Sequence, residues 1–188
     1  ALARAAGADP EAVATGLRAY SPGAHRIVTV AEAEGVTWVD DSKATNPHSA
    51  EAALTSLPQG TGVWICGGDT KGAQFFDLVR TVRPHLRGAV VIGKDQSDIL
   101  AALEKEAPGL AVTRISHAAP EQVSAAAVEA AGTMARSGDT VMLAPACASW
   151  DQFTSYAQRG DLFATAARAY AGGGSPETTD ASGVQEKL

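Results

Sequence analysis

The chain has 188 residues, 45% of them hydrophobic, which sets one domain with an ordinary core as the first expectation. A net charge of -6, with no run of Lys or Arg, argues against a nucleic-acid or anionic-membrane surface and leaves small anions with a local positive site as the open class of ligand. Cys66 and Cys147 form no CxxC pair and His25, His48, His85 and His117 have no metal spacing, so buried thiols are expected and no metal site is assigned.

In chain order, Asp9-Pro10 followed by apolar residues at helical spacing predicts a capped helix to Tyr20, and Ser21-Pro22-Gly23 breaks it at a candidate domain boundary. Two β-rich runs, His25 to Val30 and Val36 to Val39, are joined near Gly35 and predict a hairpin. The second run leads into Asp40-Asp41-Ser42-Lys43-Ala44-Thr45-Asn46-Pro47. Pro47 suits the first position of a helix over 47 to 56, and Asn46 can cap its free N–H groups. A helix mouth with Lys43 beside it favours an anion.

Gly62 to Cys66 is an apolar run of strand length followed at once by Gly67-Gly68-Asp69-Thr70-Lys71-Gly72. It is neither a P-loop nor a dinucleotide fingerprint, and Lys71 either points into a cleft or sits on an ordinary glycine turn. The pattern then repeats: helix 75 to 83, strand 89 to 92, helix 96 to 105, strand 111 to 115, helix 120 to 136, strand 140 to 143. Such alternation predicts an α/β fold: a Rossmann-like, mixed, mostly parallel sheet with helices on both faces and an N-terminal β-hairpin. Ligands of these sheets bind beyond the carboxyl ends of the strands, so the loops after Val39, Cys66 and Leu143 are expected on one rim.

The third of these loops runs from Ala144 to Phe153, and Ser149 or Asp151 is expected to cap a helix continuing through Tyr156 and Phe163, giving a second anion-favouring mouth. Ser149 and Cys147 lack a nucleophile motif and read as binding or structural groups. Phe153, Tyr156 and Phe163 fit the apolar stripe of that helix. Residues 171–188, glycine-rich and then polar, read as a disordered tail. With no membrane-length apolar run and no signal-peptide pattern, the chain is expected to be soluble and cytoplasmic.

Taken together, Asp41-Ser42-Lys43-Ala44-Thr45-Asn46, Gly67-Gly68-Asp69-Thr70-Lys71, Pro145 to Phe153 and Arg159-Gly160-Asp161-Leu162-Phe163 resemble, in order and spacing, the C-terminal part of the Mur ligases, and within them the branch that adds D-glutamate. The resemblance covers roughly residues 17 to 168 and implies that residues 1–22 end a central ATPase domain while 23–170 form the glutamate-binding domain. The start of the chain, in a helix-like run without Met, fits a segment of a larger protein.

Family members use ATP and magnesium to phosphorylate UDP-N-acetylmuramoyl-L-alanine, whose acyl phosphate is attacked by D-glutamate. By matching positions, the resemblance implies that Thr45, Lys71 and Ser149 hold the D-glutamate carboxylates, with Trp150 and Tyr156 lining the pocket. It places His25, Arg26 and Asp41 towards the nucleotide and Lys43 as the catalytic lysine facing the reaction centre. A guanidinium at Arg26 and an ammonium at Lys43 suit phosphoryl transfer, which needs charge neutralisation more than covalent chemistry. The triphosphate cradle and metal carboxylates are expected in upstream domains, with no metal held by this chain, which alone is then expected not to catalyse. Another Mur or folylpolyglutamate-type ligase and a non-catalytic anion-binding module stay open as alternatives.

Overall fold

The computed structural model describes residues 2–20, 23–117 and 119–173. After two helices, α1 (Leu2–Ala5) and α2 (Pro10–Ala19), the chain runs β1 (Val28–Ala33), β2 (Val36–Asp40), α3 (Pro47–Leu54), β3 (Gly62–Gly67), α4 (Phe76–Val82) and β4 (Leu86–Ile92). It continues through α5 (Ser97–Glu106), β5 (Ala111–Arg114), α6 (Pro120–Met134), β6 (Thr140–Leu143) and α7 (Tyr156–Ala171). The six strands form one sheet in the order β1-β2-β6-β3-β4-β5. β1 is antiparallel to β2, and every other ladder is parallel.

Side chains that alternate along a strand face opposite sides of a sheet, and β3 divides its burial accordingly. Trp64 and Cys66 join Leu54, Leu78, Val79 and Leu103 under α3, α4 and α5, whereas Val63 and Ile65 join Val123, Val128 and Phe163 under α6 and α7. Each buried side chain of this size stabilises the fold by roughly 1.5–3 kcal/mol. Trp64 also donates its Nε1–H to Ala144 O at 2.7 Å, tying the central strand to the third rim loop.

The hairpin turns on Glu34 and Gly35, both left-handed with φ of 51° and 78°, the pairing that a two-residue turn between twisted strands requires. Its first strand differs from expectation. β1 starts at Val28, because His25 and Ile27 take φ of 63° and 50° and make residues 25–27 a turn instead of extended chain. The pull comes from the next strand end: Asp41 Oδ1 accepts the Ile27 N–H at 3.2 Å and Lys43 donates its N–H to His25 O at 3.0 Å.

A second difference lies at α7. Ser155, not Ser149 or Asp151, is the N-cap, accepting the Gln158 N–H at 3.0 Å. Ser149 instead accepts the N–H groups of Gln152 and Phe153 through its carbonyl, which closes a turn, and Asp151 Oδ2 accepts the Lys94 N–H at 2.9 Å. Phe153 therefore enters the core ahead of the helix. Ala171, expected to begin the tail, is instead the last residue of α7; from 174 the expected tail lies outside the described residues, as do 21 and 22 at the expected boundary. No residue of α1 or α2 is buried. No helix among the described residues is long and apolar enough to cross a membrane.

Candidate functional site

β2, β6 and β3 are parallel neighbours, so their carboxyl ends emerge side by side and bring the three polar loops onto one rim. The loops are fastened to each other through backbone. Asp41 donates its N–H to Leu143 O at 2.9 Å, Ala146 donates to Ala44 O at 2.9 Å, and Gly67 donates to Pro145 O at 2.9 Å. Asp69 and Ala148 exchange both N–H···O bonds, at 3.0 and 2.9 Å, as an isolated antiparallel bridge. Gly68 makes this approach possible: a Cβ there would collide with Ala148 O, and its φ of 132° belongs to glycine.

One side chain connects the first and third loops from beneath. Arg159, on the first turn of α7 and only 1% exposed, donates from Nε to Ser42 Oγ at 3.0 Å and from Nη2 to Ser42 O at 3.0 Å. It also reaches Cys147 O at 3.2 Å and Ala148 O at 3.3 Å, while Ser42 Oγ donates onward to Tyr156 O at 2.7 Å. Burial pulls its guanidinium down to about 10, which still leaves it charged at neutral pH. A buried cation whose direct partners are neutral oxygens gives the rim a fixed positive interior.

Above this layer the expected ligand residues fall into two groups. Lys71, held with φ of 51° as its N–H meets Asp69 Oδ1 at 3.0 Å, places Nζ 5.4 Å from the ring centroid of Trp150, which is 74% exposed. Ser149 lies just before it, buried, one residue past the bridged Ala148. On the other side Lys43 Nζ sits 3.7 Å over the ring of Tyr156, and the His25 ring meets Tyr156 edge-on at 6.0 Å between centroids. Lys43, as a hydrogen-bond donor first and a charge second, lowers the Tyr156 phenol below its usual value. Tyr156 thus stands with Lys43 and His25. Thr45, whose N–H meets Lys43 O at 2.8 Å, comes one residue before Asn46, whose side chain caps α3 by accepting the Ser49 N–H at 3.0 Å.

The residues that sequence reasoning passed over are Asp40, Ser42 and Arg159. Asp40 Oδ1 accepts the Ser42 N–H at 2.8 Å and Oδ2 lies 2.7 Å from His25 Nδ1. Asp41 is raised to about 6, chiefly by burial, with Asp40 adding to the rise and the Ile27 N–H opposing it. Burial also pushes the Cys147 thiol up to about 12 and raises the Cys66 thiol well above its ordinary value, so neither is a poised nucleophile. Among the described residues no group of three or more His, Cys, Asp or Glu converges as a metal site.

An open, mostly parallel sheet whose rim gathers two helix N-termini, two lysines and a buried guanidinium defines a Rossmann-like domain. The chain belongs to the Mur ligase family: residues 25–147 match the model of the Mur ligase glutamate ligase domain. It is 52% identical over 172 residues, 92% of its length, to the UDP-N-acetylmuramoylalanine--D-glutamate ligase of Frankia casuarinae, and 51% identical over 167 residues to that of Streptomyces coelicolor. In both cases it covers 35% of the relative, so the chain spans about a third of the length of the curated relatives it matches. Among solved structures it resembles MurF from Acinetobacter baumannii, with a TM-score of 0.55 at 16% identity over 88% of this chain and 35% of the other. It also resembles the folylpolyglutamate synthase/dihydrofolate synthase of Yersinia pestis, with a TM-score of 0.53 at 17% identity over 84% of this chain and 34% of that one. At these identities the two structures speak to the fold alone.

Proposed function

We propose that this chain is the amino-acid-receiving domain of an ATP-dependent ligase that joins D-glutamate to UDP-N-acetylmuramoyl-L-alanine in peptidoglycan precursor synthesis. The observation that carries the reading is the gathering of Lys43, Thr45, Lys71 and Ser149 on one rim, in a chain about half identical to ligases of that name. In the reaction a substrate carboxylate takes the γ-phosphoryl group of ATP, releasing ADP. The glutamate amine then attacks the acyl carbon and phosphate leaves with the C–O bond pair.

Within that scheme Lys71, Thr45 and Ser149 hold the two carboxylates of glutamate, because a dianion needs a cation and fixed hydroxyl donors. Trp150 walls the Lys71 side, and Tyr156 orients Lys43 from the other. Lys43 faces the reacting phosphoryl oxygens and offsets their growing charge, with Arg26, His25 and Asp41 on the nucleotide side. ATP and magnesium are held mainly outside these residues, in the preceding domains. Residues 1–22 would then close the preceding ATPase domain, and 23–170 form the receiving domain.

The test is an amide-shift titration of the chain with D-glutamate and with L-glutamate. Shifts centred on Thr45, Lys71 and Ser149 with the D enantiomer are expected. Equal shifts with both enantiomers, or shifts centred elsewhere, would overturn the acceptor assignment.

A further inference from the structure

The rim contains a buried carboxylate that the reading above leaves without a task. Asp40, the last residue of β2, is 2% exposed and divides its two oxygens: Oδ1 accepts the Ser42 N–H at 2.8 Å, and Oδ2 faces His25 Nδ1 at 2.7 Å. α7 closes over the pair. A Cβ at Gly160 would collide with His25 Nδ1 and lie 2.6 Å from Asp40 Oδ2, so bare helix backbone covers the contact and leaves no room for water between them. The imidazole turns its other nitrogen outward, with Nε2 3.9 Å from Oδ1 of the exposed Asp161. His25 is itself held in a left-handed conformation, φ 63°, which places its ring over Asp40. Such strain persists only where the surroundings over-determine it.

We infer that Asp40 is a positioning residue that fixes the protonation pattern of His25, holding the hydrogen on Nδ1 and leaving Nε2 as a hydrogen-bond acceptor on the rim. An ionised carboxylate has no proton to give, so the hydrogen shared with Nδ1 must be the imidazole's. Which ring nitrogen carries the proton is decided by the partner of the other one. Nε2 then takes a hydrogen bond from a hydroxyl or amine of a ligand and has none to offer a phosphate oxygen while the ring is neutral. Resting on the assignment of His25 to the nucleotide side, this makes the sugar or base of a nucleotide, not its phosphates, the group that His25 meets.

Asp40→Asn gives an isosteric test. Ser42 N–H retains Oδ1, which leaves the Asn amide NH2 facing Nδ1; the amide can only donate, so the imidazole hydrogen must move to Nε2. In the isotope-labelled chain, imidazole nitrogen–carbon correlation spectra at a pH where the ring is neutral are expected to show His25 as the Nδ1–H form, and as the Nε2–H form in D40N. An Nε2–H form in the unchanged chain, readable even if D40N fails to fold, would overturn the inference, as would an unchanged form in a folded D40N. A parallel titration with ADP separates the two layers. Several-fold weaker ADP shifts in D40N support the role at the nucleotide. A tautomer that switches in a chain showing no ADP shifts refutes the nucleotide assignment and leaves the positioning by Asp40 intact.

Discussion

The two ends of the sheet are built on different terms. At the amino ends of the strands Asp139, 2% exposed, receives Arg87 through Nε and, at 2.9 Å, through Nη2, and also caps the Arg136 N–H at 2.8 Å. This is a paired, self-contained charge next to a tight hairpin. At the carboxyl ends the buried groups Asp40, Ser42 and Arg159 are joined in a chain that reaches the Cys147 and Ala148 carbonyls and ties the first loop to the third, and His25, Ile27, Lys71 and Ala146 all take left-handed backbone angles. One end spends its polar groups on holding strands together; the other holds side chains in positions the backbone would not adopt unaided. Strain and shared partners gather at the end that carries the proposed ligand residues.

Substitutions separate the two roles. Arg159→Met leaves Ser42, Cys147 and Ala148 oxygens without their donor and is expected to cost about 3–5 kcal/mol in chemical denaturation and to abolish D-glutamate shifts as well. Asp139→Ala, at the opposite end, is expected to cost about 2–3 kcal/mol while leaving those shifts unchanged in the folded protein; lost glutamate shifts would break the division. Lys71→Ala reverses the pattern. Its side chain is exposed, so unfolding should move by less than about 0.5 kcal/mol while D-glutamate affinity falls roughly ten- to a hundredfold, the worth of one charge-assisted bond.

The last expected effect is a pH slope. Because Asp41 rises from the usual 3.8 to about 6 on folding, the native state binds its proton more tightly than the unfolded chain. Its contribution is fully present below 3.8 and is lost as pH climbs through about 6. The stability difference between the unchanged chain and Asp41→Asn should therefore fall across that window and level off above it. A flat difference from denaturation curves at several pH values would remove Asp41 from the strained end's accounting.

Much of the rim was legible because it follows from local rules. Alternating strands and helices give parallel neighbours, and parallel neighbours put the polar loops together; the Asn46-Pro47 start of α3 was visible for the same reason. What escaped depends on partners far away in sequence. Ile27 looks like a strand residue by its branched side chain, yet its N–H is claimed by Asp41, and no local pattern announces that. Nothing near Arg159 in the chain shows that its guanidinium is buried against Ser42, over a hundred positions earlier. The start of α7 was a different kind of miss. Ser155 followed by Gln158 has capping-box spacing, a signal as local in the sequence as the caps offered by Ser149 and Asp151.

The bridge between Asp69 and Ala148 has a consequence for the energetics of recognition. Because it makes the segments carrying Lys71 and Ser149 a single body, their mutual freedom is surrendered when the chain folds and not when ligand arrives. A ligand spanning both would meet segments already fixed relative to each other, so ordering them is no part of its binding entropy.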